Sequence, residues 1–387
     1  MIHVITKGQI TEVKKLIESW ADVNERGGNS WLTPLIVASN RWHTDIIKLL
    51  IESWADVDRG DNNWTTPLIN VSDKWKVDLI NLLIENWANI NKGNNDWRTP
   101  LIVASERWKI DIVKVLIENW ADINKRSDSW WETPLIVSSD KWHTKIAKLL
   151  IENWADVNRA NSNWITPLMA AVEHDDIIEL LIENWADVNK GDNDWRTLLI
   201  VKSEIWHTNI VETLIKNWAD VNKGNNNWRT PLMFTANQWH TDIVKLLIEN
   251  WADVNKGDSY WRTPLILASD KWHTNIVETL IKNWADVNKG NDDLRTSLMF
   301  ASDKWHTNVV KLLIENWANM DKKSNDWRTP LIVASYEWHT DVVKLLIEKW
   351  VDVNKRGDNW LTPLVVASNK WHTDIVQILI ENWAAQR

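Results

Sequence analysis

The sequence predicts an all-α solenoid of about twelve stacked helix-turn-helix units that are joined by loop fingers. A motif built on Thr-Pro-Leu recurs along the 387 residues, and its threonine returns every 33 residues except for one step of 34 and one of 31. Each unit also carries two short segments whose apolar residues recur at helical spacing. The recurring threonines are Thr33, Thr66, Thr99, Thr133, Thr166, Thr197, Thr230, Thr263, Thr296, Thr329 and Thr362.

The first helix of a unit is predicted to begin directly after the recurring threonine. Thr33 is a suitable N-cap, because its hydroxyl can accept a hydrogen bond from the first helical turn. Pro34 suits the first helical position, where a missing N–H costs nothing. Leu35 and Ile36 begin an apolar face, and Ala38 is small enough for close packing of helices.

The second helix is predicted to be capped by Thr44, with Asp45 favourably placed near its positive end. Ile46, Leu49 and Leu50 form its apolar stripe. Neither helix is long enough to be stable alone, so each unit must stack on its neighbours to bury its apolar side.

Tryptophan is unusually frequent, with 33 residues against two tyrosines and two phenylalanines. Nearly all tryptophans occupy three positions of the repeat, represented by Trp31, Trp42 and Trp54. These positions lie two residues before Thr-Pro-Leu, directly before His-Thr and directly before Ala-Asp-Val. Trp130, next to Trp131, is the one outside them.

The segments Thr-Pro-Leu, Trp-His-Thr, Ile-Val-Lys-Leu-Leu and Trp-Ala-Asp-Val-Asn recur in this order from unit to unit. In these segments the chain resembles the ankyrin repeat family over essentially its whole length. The family carries glycine at the three Trp positions, and histidine where this chain has residues such as Ile36, Met169 or Val365. The resemblance implies a single array over residues 1–387. It has a partial first unit 1–30, full units beginning near residues 31, 64, 97, 131, 164, 195, 228, 261, 294 and 327, and a truncated last unit 360–387.

The three Trp positions are where the resemblance implies helix ends and turns that need left-handed backbone. Glycine enters that conformation freely, whereas another residue is destabilised there by about 1–2 kcal/mol. We therefore interpret these tryptophans as glycines written as Trp, because a UGA codon was read with a different genetic code. Gly8 fills a Trp position in the partial first unit, and Leu294 fills another. The leucine codon UUA is one base from UGA.

Two other interpretations compete with this one. The indoles could be functional, as a row that binds sugars, bases or a membrane surface, or they could be deliberate design. The scarcity of tyrosine argues against selection for stacking surfaces. We expect the indoles to lie at turns, largely exposed and without a shared pocket. UGG codons at these positions would contradict the recoding.

The composition and net charge exclude several classes of function. The chain has no cysteine, which excludes disulfides, thiol catalysis and Cys-ligated metals. Its net charge of −9 argues against a nucleic-acid-binding role, which requires a basic face. Neither a signal peptide nor an apolar run long enough to span a bilayer is present. We expect a cytoplasmic monomer that contacts no nucleic acid and no membrane, with delivery into another cell left open.

One histidine recurs at a fixed position of the repeat. A metal array is the functional interpretation, but stacked helices lie ~8–10 Å apart, whereas zinc ligands lie ~2 Å from the ion. We expect each histidine to bond nearby backbone at a helix start. Because every feature recurs, we also predict no catalytic site, no enzyme activity and no cofactor. The histidines are His43, His143, His207, His240, His273, His306, His339 and His372.

The resemblance implies a concave face, formed by loop tips and first helices, that binds a protein partner. It puts an arginine near the tip of several units, where a planar guanidinium suits carboxylates. The candidate partner-binding residues are Arg98, Arg196, Arg229, Arg262, Arg295 and Arg328. The predicted function is a non-enzymatic protein-interaction scaffold. The alternative is a solenoid whose indoles bind carbohydrate or another flat ligand.

A weak joint is predicted near residues 168–206. The unit that begins at Thr166 lacks two residues between its helices, and the next unit has Leu198 in place of proline. Lys202 stands where other units have a small residue, so its long side chain should snorkel to solvent or disturb the packing.

Overall fold

The computed structural model describes residues 1–28, 30–128, 130–357 and 360–382. Within them the regular structure is helical, apart from isolated β-bridges such as those that join Gly27 to Leu32 and Gly290 to Thr296. The predicted all-α class and the repeated helix pairs are confirmed. Close contacts divide the chain into two compact units, Met1–Asn193 and Asp194–Arg387.

The first unit contains twelve of the described helices. They are α1 (Ile2–Thr6), α2 (Ile10–Glu18), α3 (Pro34–Arg41), α4 (Thr44–Glu52), α5 (Pro67–Ser72), α6 (Val77–Glu85), α7 (Pro100–Glu106), α8 (Ile110–Glu118), α9 (Pro134–Asp140), α10 (Thr144–Glu152), α11 (Pro167–Ala170) and α12 (Asp175–Glu183).

The second unit contains the other twelve described helices. They are α13 (Leu198–Glu204), α14 (Thr208–Lys216), α15 (Pro231–Gln238), α16 (Thr241–Glu249), α17 (Pro264–Asp270), α18 (Thr274–Lys282), α19 (Ser297–Asp303), α20 (Thr307–Glu315), α21 (Pro330–Tyr336), α22 (Thr340–Glu348), α23 (Pro363–Asn369) and α24 (Thr373–Glu381).

The first helix of each repeat begins as the sequence predicts. Thr33 has extended backbone, and its hydroxyl accepts a hydrogen bond of 3.2 Å from the backbone N–H of Ile36. The same bond caps most later first helices, for example from Thr263 to Ile266 at 3.2 Å. This bond satisfies one of the N–H groups that a helix start leaves without an intrahelical partner.

The predicted cap of the second helix is wrong. Thr44 is the first helical residue of α4, and the N-cap position is held by His43, whose side chain makes no capping bond. The threonine hydroxyl is then free for a neighbouring repeat: Thr144 donates to Asp176 at 2.6 Å, and Thr340 donates to Asp374 at 3.0 Å.

The core of each unit is made by apolar faces of both helix types. Leu35, Ile36 and Ala38 of α3 are fully buried, as are Ile46 and Leu50 of α4. First helices pack on the first helices of neighbouring repeats, as α3 does on α5, and each also packs on its own second helix. Such stacking supplies the apolar burial that helices of nine residues or fewer need.

The tryptophans occupy left-handed backbone, as the three positions predict. With the exceptions of Trp75 and Trp130, every described tryptophan has a positive φ, between 52° and 74°. Gly8 (φ 71°) and Leu294 (φ 56°), which fill Trp positions, share this conformation. Trp131 is therefore the repeat-position residue of the adjacent pair, whereas Trp130 lies on ordinary backbone.

The predicted weak joint near residues 168–206 includes part of the shortest described helix, α11, which has four residues. Lys202 in α13 is fully buried, and its Nζ lies 3.5 Å from Nδ1 of His207. The expectation that Lys202 snorkels to solvent is therefore wrong, because the side chain finds a polar neighbour inside the fold.

Candidate binding surface

In most repeats the recurring histidine bonds the repeat before it. Nε2 of His240, His273 and His306 donates to a backbone carbonyl near the end of the preceding first helix, at 2.9, 3.1 and 3.0 Å. The expectation of a bond to backbone is confirmed for these residues, but its place at a helix start is wrong, and Nε2 of His43 is buried without a hydrogen-bond partner. Burial lowers the pKa of His273, because it disfavours the charged imidazolium more than the carbonyl bond favours it.

Among the residues with described positions, no three His, Cys, Asp or Glu side chains are grouped as a metal site. No helix formed by those residues has the length and apolar character needed to cross a bilayer.

The indoles do not form one platform. Those at second-helix ends project into solvent, as Trp251 does with 88% of its surface exposed. Most of those at first-helix ends lie against the histidine of the next repeat; the rings of Trp305 and His339 are 6.0 Å apart and nearly parallel. Trp42 and Trp75 instead lie under Lys76 and Lys109. Trp97 and Trp131 contradict the expectation of no shared pocket, since both line a depression of about 500 Å³.

That depression arises because successive loop fingers lie side by side. The backbone N–H of Asp128 donates to the carbonyl of Asp96 in the preceding finger at 2.8 Å. Neighbouring side chains at one position of the repeat are thereby brought close together. Arg126, whose pKa is lowered by burial, and Arg159 complete one side of the depression.

In most repeats an asparagine in the loop after the second helix joins consecutive repeats. Oδ1 of Asn255 accepts from the backbone N–H of Asp286 at 2.7 Å, and its Nδ2 donates to the carbonyl of Trp284 at 3.0 Å. Lys289 of the next repeat donates to the carbonyl of Asn255 at 2.6 Å. The polar residues of these loops therefore hold the repeats together.

The candidate arginines lie just before the first helices, half-buried or exposed, and most form ion pairs. Arg98 pairs with Glu106. Arg262 binds Asp258 at 2.8 Å, and Arg229 lies 3.3 Å from the same buried carboxylate. The repeat pattern does not predict the contact of Arg229 with Asp258, because the two residues are 29 positions apart in the sequence.

The later arginines have carboxylate partners that are less buried than Asp258. Arg295 lies 3.5 Å from Asp303, and Arg328 lies 2.9 Å from Asp326. Arg196 is half-buried just before α13 and also takes part in a polar, ring or electrostatic interaction. In the Thr133 repeat this position is held by Glu132, whose pKa is raised by burial. The predicted arginine row is thus uneven, and five of its six members lie in the second unit.

Aromatic residues beside these arginines were missed by the sequence analysis. Both tyrosines and both phenylalanines of the chain lie in the second unit, on loop tips or first helices. Three of them face an arginine: Arg262 over Tyr260, Arg295 over Phe300 and Arg328 over Tyr336. The available signal was that each aromatic residue breaks an otherwise regular repeat position.

Capped first helices, second helices and hydrogen-bonded loops in register define a protein of tandem helical repeats. The family model for ankyrin repeats (three copies) matches residues 1–94, 101–194, 198–291 and 298–386. The chain belongs to the ankyrin repeat family. A comparison with curated proteins gave no match. Ankyrin repeats are generally protein-interaction modules and are typically non-enzymatic.

Proposed function

We propose that this protein is a non-enzymatic scaffold that binds a protein partner on the face formed by loop tips and first helices. The observation that carries the proposal is the distribution of polar groups. Histidine, asparagine and lysine side chains of the other positions bond neighbouring repeats. The arginines before the first helices, such as Arg295 and Arg328, retain solvent exposure and can reach a partner.

The alternative in which indoles bind a flat ligand has one observation in its favour, the depression that Trp97 and Trp131 share. The other tryptophans do not extend it: those at second-helix ends stand apart in solvent, and most of those at first-helix ends lie against a histidine, as Trp305 lies on His339. A stacking ligand needs several accessible rings that share one surface.

We also propose that the protein is a monomer that acts in the cytoplasm, without a cofactor and without contacting nucleic acid or membrane. The absence of cysteine agrees with a reducing compartment, and the net charge of −9 disfavours phosphate-rich partners.

Lysine cross-linking after affinity capture from the native source tests which face binds. Lys271 and Lys304 are exposed at first-helix ends, whereas Lys245, Lys311 and Lys344 are exposed on second helices. We expect cross-links to the captured partner at the first pair. Cross-links confined to the second-helix lysines would contradict the proposed face.

A further inference from the structure

Three arginines in consecutive repeats of the second unit stack on aromatic rings. The guanidinium carbon lies 5.2 Å from the ring centre for Arg262 on Tyr260. It lies 4.5 Å away for Arg295 on Phe300, and 5.1 Å away for Arg328 on Tyr336. The first helices of these repeats, α17, α19 and α21, pack side by side. The arginine–aromatic face consists of Tyr260, Arg262, Arg295, Phe300, Arg328 and Tyr336.

The aromatic residues are not required by the fold. Phe300 occupies a helix position where neighbouring repeats have Leu267 and Val333. Tyr336 occupies one where the two preceding repeats have Asp270 and Asp303. The helices form equally with those residues. Large rings at positions that other repeats fill with aliphatic or acidic residues indicate a role at the surface.

Stacking prepares the guanidinium groups for planar ligands. A ring against one face of an arginine leaves the N–H edge free to donate two parallel hydrogen bonds to a carboxylate. The ring also restricts the side chain, so less entropy is lost on binding. Tyrosine and arginine are enriched among the residues that dominate protein interfaces.

The ion pairs determine which of these arginines can bind a partner protein. Asp258 is fully buried and accepts from Arg262, so this arginine is anchored within the fold. The partners of Arg295 and Arg328 are partly exposed, and exposed ion pairs contribute little stability. A partner carboxylate can therefore replace Asp303 or Asp326. Lys370, 4.0 Å from the Tyr336 ring centre, adds positive charge beside Arg328.

We propose that the arginine–aromatic face binds an acidic segment of a partner protein. Carboxylates of the segment bind Arg295 and Arg328, and its apolar side chains lie on the exposed parts of Tyr260, Phe300 and Tyr336. This inference rests on the proposed function and specifies both the part of the surface and the chemistry of the partner.

The test uses the full chain and an array of synthetic peptides with alternating glutamate and apolar residues, beside the same peptides with glutamine for glutamate. We expect binding of the acidic peptides only, with an affinity that falls as salt rises. The double variant Arg295→Gln, Arg328→Gln should lower the affinity at least about tenfold. A matched variant, Lys245→Gln with Lys311→Gln, removes the same charge from second helices and should bind normally.

Variants that carry the residue found at the same position of another repeat distinguish an effect on binding from an effect on folding. Phe300→Val and Tyr336→Asp place the residues of Val333 and Asp303 at equivalent positions. They should retain the thermal midpoint and weaken peptide binding about tenfold. Unchanged binding by these variants, equal loss in the lysine control, or stronger binding of single-stranded nucleic acid would overturn the inference. A partner still cross-linked at Lys271 or Lys304 would then leave the proposed function standing.

Discussion

Trp251 shows a conflict between a side chain and its backbone. Its φ is 67°, where an L-residue with a side chain is disfavoured, and its indole gains little burial in return because 88% of it is exposed. Gly8 adopts the same conformation in the partial first repeat without this cost. We propose that the native protein carries glycine at the left-handed Trp positions, through UGA codons.

Substituting glycine for Trp251 is expected to raise the free energy of unfolding by about 1–2 kcal/mol, because it removes the left-handed strain. Trp130→Gly is the matched control: this indole is also exposed, but its backbone lies outside the positive-φ region. Denaturant unfolding of the two variants measures the difference. A gain at Trp130 as large as that at Trp251 would contradict the explanation.

Protonation of His273 is expected to destabilise the fold. Burial lowers its pKa in the folded chain, so below the ordinary value of about 6.5 the unfolded chain binds more protons. The stability contribution is therefore present above that pH and is lost as the pH falls. His273→Gln should reduce the slope of unfolding free energy between about pH 7 and 5.

The exposed His3 provides the comparison for that measurement. His3→Gln should leave the slope close to that of the parent chain. An identical slope in the His273 variant would show that this histidine does not contribute to the pH dependence.

At the scale of a helix, the capping threonines differ in a way that allows a direct test. Thr263 accepts from the N–H of Ile266, whereas the hydroxyl of Thr296 is buried without a hydrogen-bond partner. Thr263→Ala should lower the free energy of unfolding by about 1 kcal/mol. Thr296→Ala removes no cap and should cost distinctly less; equal losses would exclude the capping bond as the cause.

The start of a helix could be predicted only where the sequence pattern identifies both the N-cap and the first helical residue. Thr-Pro-Leu does so, because proline fixes the first helical position. The second helix lacks such a marker: the sequence predicts Thr44 as the cap, but the helix begins there. The histidine before it bonds the preceding repeat, and no local pattern reveals that contact.

At the scale of the whole chain, residues 168–206 are expected to open more readily than regular repeats. α11 is only four residues long, and the next first helix starts without proline and buries Lys202. Short helices and buried charge lower the local free energy of opening. Hydrogen exchange should show lower protection here than across residues 232–272, the equivalent regular stretch. Equal protection would contradict a weak joint.

The repeat period was sufficient to predict the fold, because the units share one sequence pattern and form the same pair of helices. The binding surface was only partly predictable. The sequence located the arginines, but it could not show that Arg262 is held by a buried carboxylate while Arg295 is loosely paired. Those differences depend on distances across repeats, which a linear pattern does not contain.

The asparagine bonds between loops have a consequence for how such a gene can change. Each repeat brings its own Asn acceptor and offers its own backbone donor to the repeat before, as Asn255 and Asp286 illustrate. A duplicated or deleted block of one period therefore meets its neighbours with the same donor and acceptor. Where Asp58 replaces asparagine, its carboxylate still accepts from Asn89 at 2.9 Å. At Asp321 the replacement leaves a buried carboxylate oxygen without a hydrogen-bond partner, so a block that ends in asparagine joins its neighbour more completely than one that ends in aspartate.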